Sequence, residues 1–301
     1  MGIKSFLLNI YDKQYKKLLI LSFLILFACI GVLVHHKITT GEFVEKGVSL
    51  KGGITMTIPV TQADIPELQH ALDTRFPHAD ISVRSVTEAG ELKALIVEAS
   101  DVTEEQLIAA LRDNGLPMQS GTFSSEVMGS SLGESFYRQT LIAIAVAFLF
   151  MSIVVFITFR VPMPSLYVIL CAISDIISVL AVIDLLGIKL STAGVAALLM
   201  LIGYSVDTDI LLTTKVLRGK QGTVFERMTG TMKTGLLMSI TAFAATTVGH
   251  IVIQSDVVKQ IMLIISIGMV FDIIYTWLQN AGILRWYLER KHAKQGGEHH
   301  G

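Results

Sequence analysis

Six stretches of this 301-residue chain are apolar for about 20 residues at a time, the length an α-helix needs to cross a bilayer. They fall near 17–36, 139–159, 165–186, 191–212, 234–253 and 260–283. Lipid offers backbone N–H and C=O groups no partners, so such runs fold as helices whose hydrogen bonds are internal. The chain is therefore read as a six-helix membrane protein. Only 16% of its residues are charged, against about 25% in an average soluble domain. A net charge of −1 gives no footprint for nucleic acid. Cys29 and Cys171 both lie inside apolar runs and read as small hydrophobes rather than as a disulfide framework.

The first run follows Lys13, Lys16 and Lys17 and ends at His35, His36 and Lys37 with no small-residue cleavage site. It reads as a retained anchor, not a removed signal. Basic residues then set the orientation. With residues 1–16 in the cytoplasm, the inner segments carry fourteen Lys and Arg, from Lys4 through Arg160, Lys220 and Lys233 to Lys294, against Lys189 and Lys259 outside. Both termini, including the tail from 284 to 301, are expected in the cytoplasm of a multi-pass cell-membrane protein.

Residues 37–138 are polar and face outward in that arrangement. VSLKGGITMTI (48–58) alternates like a strand around Gly52 and Gly53. Asp64 and Glu67 in DIPE have the spacing of a helix start, with Leu68, Leu72 and Phe76 following at helical intervals. ISVRSV (81–86) and LKALIVE (92–98) read as strands around a turn at Gly90, TEEQ (103–106) as a second capping box with Leu107 and Leu111 inward, and Met118–Val127 as a last strand. The order β-α-β-β-α-β predicts a ferredoxin-like α+β domain. GSSLGESF (129–136) reads as a linker into the second apolar run.

Charge inside the apolar runs is the functional signal. Placing a carboxylate at mid-bilayer costs roughly 2.5–3.5 kcal/mol on insertion scales. Yet Asp175 lies in the third run, Asp207 and Asp209 in the fourth and Asp272 in the sixth. At 100° per residue Asp207 and Asp209 point about 200° apart. Asp209 shares its face with Ser205 and Thr213, and Asp207 with Gly203 and Tyr204. The fifth run adds the hydroxyls of Thr234, Ser239, Thr241, Thr246 and Thr247, with small Gly235, Ala242 and Ala245 allowing close packing. One reading is hydrogen-bonded glue with Lys215 or Lys233 as counter-ions. The other is an ion path, in which carboxyls in low dielectric load and release protons and the membrane potential contributes about 2.3 kcal/mol per charge per 100 mV. Four acids on three helices favour the path. The pairs His35–His36 and His299–His300 are read as terminal or interfacial, with no metal or cofactor expected.

Gly47, Gly52 and Gly53 form a G-x-x-x-x-G-G element that resembles the start of the exported domain in SecD and SecF proteins. Residues 174–218 resemble the third and fourth helices of that family, with Asp175 matching its third-helix aspartate. Gly203, Tyr204 and Ser205, followed by Asp207 and Asp209, match its fourth-helix motif. The run DTDILLTTK differs from the bacterial N-D-T-V-V-V-F-D-R, and Lys233 is the nearest cation to the family's fifth-helix arginine. The single outer domain and the length resemble the SecF branch, of archaeal type.

The resemblance implies half of a resistance–nodulation–division-like bundle and a non-enzymatic role in Sec-dependent export, coupled to a proton or sodium gradient. It also implies as partners SecD, the SecY translocon and exported preproteins. Asp207 is the leading coupling residue, followed by Asp175, Asp209, Asp272 and Lys233. Rival readings are half of a small-molecule efflux pump, a passive translocon scaffold, and an intramembrane aspartyl protease, whose G-x-G-D element GYSVD lacks.

Overall fold

The computed structural model describes residues 11–297 apart from 89, 90, 120, 220, 221 and 254. Lys4, Gly90, Lys220, His299 and His300 lie outside the described residues. Six helices are long and apolar enough to span a membrane. The first is α1, Tyr15–Thr40, closed by Gly41 in the left-handed conformation. After a one-turn helix, α2, Val48–Lys51, comes the sheet domain: β1 (Gly53–Pro59), α3 (Ile65–Arg75), β2 (Ile81–Glu88), β3 (Glu91–Ala99), α4 (Glu104–Asp113) and β4 (Ser124–Met128). The remaining spans are α5 (Ser130–Phe159), α6 (Pro162–Leu185), α7 (Thr192–Arg218), α8 (Val224–Val252) and α9 (Asp256–Ile274). The last runs through one wide π-helical turn, Tyr275–Asn280, into α10 (Ala281–Gly297).

The four strands are antiparallel in the order β2-β3-β1-β4, the ferredoxin-like arrangement the sequence predicts. Its register pairs Ile54 with Ala99, Met56 with Val97 and Ile58 with Leu95. All six are buried, because alternate residues of a strand share a face. Helices α3 and α4 cover that face with Leu68, Leu72, Leu107 and Leu111, each worth about 1.5–3 kcal/mol when fully buried. Asp64 accepts from Glu67 N at the start of α3, and Thr103 and Gln106 complete a reciprocal capping box on α4.

Three expectations are corrected. Residues 48–51 are helical rather than strand, and pairing begins at Gly53. Gly52 and Gly53 have φ of +87° and +143°. These left-handed values break the alternation before pairing can start. The last strand begins at Ser124, not near Met118; Met118 is instead buried in the domain core. The segment 129–136, read as a linker, is almost wholly the first turns of α5. Its Gly133 packs on the backbone of α2, where a Cβ would lie 2.7 Å from the Lys51 carbonyl carbon.

The sheet domain is tied to the bundle through the loop between α6 and α7. Leu190 N donates to Glu45 O at 2.7 Å, Gly47 N to Leu190 O at 2.8 Å, and Thr192 N to Ser49 Oγ at 3.1 Å. Asp80 pairs with Lys189 of that loop and with Lys51 at 3.3 Å. Burial alone would push the Asp80 carboxyl up, but Lys189 and then Lys51 outweigh it and hold it below the ordinary carboxylate range.

Candidate functional site

Helices α6 and α7 are the most buried spans, and their small and hydroxyl-bearing residues let neighbours approach closely. On α7, Ser205, Asp209 and Thr213 recur every four residues and so form one stripe; all three are fully buried. On the last span, Asp272, Thr276 and Asn280 repeat the same interval and are equally buried. The wide turn Tyr275–Asn280 falls on this stripe, and such turns occur frequently at functional sites. Close packing is sterically enforced. A Cβ on Gly235 of α8 would sit 2.5 Å from the Trp277 ring, and one on Gly268 would meet the Leu201 side chain.

Three carboxyls meet in this interior: Asp175 from α6, Asp209 from α7 and Asp272 from α9, exposed by 1%, 0% and 1%. Hydroxyls and one amide link them. Ser205 Oγ donates to Asp175 Oδ2 and also faces Asp272. Ser239 and Thr276 donate to the two oxygens of Asp272, at 2.9 and 3.3 Å, and Thr276 also lies against Asp209. Asn280 Nδ2 donates to Asp209 Oδ1 at 2.8 Å and reaches Thr213 Oγ1 at 3.5 Å. The Cys171 thiol completes the surroundings of Asp209. Asp175 Oδ1, Asp209 Oδ2, Asn280 Oδ1 and both ends of the Gln279 amide lack a hydrogen-bond partner among the described residues.

No Lys, Arg or His pairs with any of the three carboxyls among the described residues. Lys215 and Lys233, considered as counter-ions from the sequence, are exposed on α7 and α8. A buried carboxylate without a cation is too costly to hold in triplicate. The cluster can therefore persist only if protons or bound cations neutralise part of it. Among the described residues, no three His, Cys, Asp or Glu side chains are placed to hold one metal ion. Chemically, the arrangement is a set of acid groups joined by groups that both donate and accept.

Asp207 does not join them. It lies on the exposed face of α7 with Gly203 and Tyr204, the opposite placement to Asp209 that the helical angle predicts. Gly47, Gly52 and Gly53 are remote from the cluster and shape the junction with the sheet domain. Sequence reasoning missed Cys171, Thr276, Gln279 and Asn280. The signal was the four-residue spacing of Asp272, Thr276 and Asn280 within an apolar run.

Comparison with known proteins identifies the family. Residues 110–290 match the family model for protein export membrane protein SecD/SecF, C-terminal. The SecF of Methanothermobacter thermautotrophicus is 44% identical over 81% of this chain and 85% of its own. That of Pyrococcus furiosus is 33% identical over 97% and 98%. Among solved structures, the translocon-associated membrane protein SecDF from Thermus thermophilus superposes with a TM-score of 0.73 at 17% identity, over 92% of this chain and 38% of its own. SecDF in a super-membrane-facing form gives 0.58 at 19% identity, over 96% and 40%. At those identities the two likenesses show the fold, and this chain spans well under half of either SecDF chain. The chain belongs to the SecD/SecF family of protein-export membrane proteins, in the branch of its archaeal SecF relatives.

Proposed function

We propose that this chain is the SecF-type subunit of a Sec protein-export complex, and that it couples export to a proton gradient through Asp175, Asp209 and Asp272. The observation that carries this reading is the meeting of three buried carboxyls, from three helices, with no cation paired to them among the described residues. Linkage through Ser205 and Thr276, rather than convergence on one point, favours protons over a chelated sodium ion. A carboxyl that takes a proton from one side and passes it to the other does so best when its neighbours are rotatable hydroxyls, which donate or accept as required.

The partner is SecD. This chain covers only 38% of a SecDF chain with the same fold, and Asp207 lies on an exposed face of α7. A carboxylate facing lipid is unfavourable, so that face is assigned to the second half-bundle. Basic residues favour both termini in the cytoplasm and the sheet domain outside. There it would meet exported chains beside the SecY translocon. The efflux reading is disfavoured because a pump needs two large outer domains and a substrate cleft, and the single outer domain within residues 37–138 is small for that.

The test is reporter export in cells lacking the gene. Wild-type chain should restore export and bring SecD down on purification from native membranes. Restored drug tolerance without restored export would overturn the assignment in favour of an efflux half.

A further inference from the structure

A second feature lies on the opposite flank of α6. Helices α1 and α5 each pack on α6, and between them they leave a cleft of about 430 Å³. Leu198 of α7 and Ile176 of α6, 1% and 8% exposed, are its most buried walls, and the partly buried Ile177 and Leu180 of α6 and Ile144 of α5 line the rest. At the rim Val34 and Leu141 are 44% and 50% exposed, so the cleft opens sideways into hydrocarbon. Its upper end, next to the sheet domain, is different. Lys46 is the one charged side chain lining it among the described residues. Its ammonium lies 4.4 Å from the centroid of the Tyr137 ring and 2.8 Å from Glu42. Lys37 stands 4.0 Å over Phe43, which also lines the cleft.

We infer that this cleft binds one hydrocarbon chain of an anionic membrane lipid, whose headgroup is held by Lys46. Three observations carry the assignment. The lining is apolar along its depth and polar only at the end nearest the sheet domain, which matches an amphiphile standing in one leaflet. Of the charged side chains that contact residues of this end, Lys46 and Lys37 are cations and only Glu42 is an acid, itself paired with Lys46, so an anionic head is favoured over a zwitterionic one. Lys and Tyr are the side chains that place a polar tip at headgroup depth above an apolar stem. An apolar peptide is the poorer occupant. It would bring backbone N–H and C=O groups into a cleft whose interior offers Thr140 and almost nothing else to satisfy them. A lipid chain brings none.

The assignment does not rest on the proposed ion coupling, and it is tested separately. The full chain, purified in detergent, is titrated with phosphatidylglycerol or with phosphatidylcholine of the same acyl chains, and bound lipid is counted by native mass spectrometry. One phosphatidylglycerol should be retained about tenfold more tightly than phosphatidylcholine. K46Q should abolish that preference. E42Q, which releases Lys46 from its pair, should increase it. I144W, which narrows the cleft from the α5 side, should weaken both lipids while thermal unfolding shows the variant intact. If I144W does not fold, the opposite responses of K46Q and E42Q still decide. Equal retention of the two lipids, a preference that survives K46Q, or displacement of bound phosphatidylglycerol by an apolar helical peptide would overturn the assignment.

Discussion

Asn280 and Asp207 separate packing from partnership at the level of single side chains. Asn280 gives Asp209 its 2.8 Å hydrogen bond. Asn280→Leu removes the amide donor from a buried acceptor, which costs about 1–3 kcal/mol; the purified variant should unfold at a lower temperature than wild type. Asp207→Leu should act differently. It removes a charge from an exposed face, so the isolated chain should be at least as stable, while SecD recovered on co-purification should fall. Unchanged SecD recovery would return Asp207 to lipid or water. The contrast between Asp207 and Asp209 was legible in the sequence, because two residues on a helix are about 200° apart. Which one faces inward was not. The helix carries polar residues on both faces, Ser205 and Thr213 on one and Tyr204 on the other, and only packing against α6 and α9 decides between them.

The junction of the sheet domain with the loop 186–191 is the element whose integrity is easiest to perturb. Asp80 bridges Lys189 and Lys51 there. Its folded-state pKa is depressed, so its contribution is complete above the ordinary carboxylate value of about 3.9 and is lost as pH falls through the lower folded value. Asp80→Asn should thus loosen the junction at neutral pH by roughly 1 kcal/mol or less, since such exposed pairs are weak. The difference from wild type should vanish in strong acid. Hydrogen exchange in β2 and in the 186–191 loop reads it. Gly133→Val is the severe counterpart: its side chain would be driven into the α2 backbone, and the top of α5 should part from the sheet domain. This close approach escaped the sequence reading. Glycine, serine and glutamate in 129–136 have the composition of a linker, and only the contact with Gly52 explains why they are helical.

At the scale of the whole molecule, the sheet domain has a core of its own. That core, around Met56, Leu72, Leu95 and Leu107, is a separate cluster from the one around Val179, Leu198 and Leu201 in the bundle. Residues 53–128 expressed alone should therefore give a cooperative melt, and a random-coil circular dichroism spectrum would contradict this. Both architectures were legible in the sequence because hydrophobic periodicity sets them: 20-residue apolar runs for the spans, alternation and capping boxes for the domain. The candidate site was legible only in part. Its acids stand out in apolar surroundings, whereas Thr276, Gln279 and Asn280 are uncharged, and only their packing in the bundle shows them to be interior groups.

We propose that Asp175, Asp209 and Asp272 carry protons across the membrane during export. The most direct test is proton influx into sealed membrane vesicles holding this chain with its SecD partner, followed by a trapped pH dye after an imposed pH jump. An amide keeps the size and most of the hydrogen bonding of a carboxyl but cannot carry the proton, and among the described residues no paired cation is left uncompensated by the change. Asp209→Asn, Asp175→Asn and Asp272→Asn should each assemble at wild-type levels and each reduce influx to that of vesicles lacking the chain. Wild-type influx through all three variants would rule out the proton path and leave the carboxyls as packing groups.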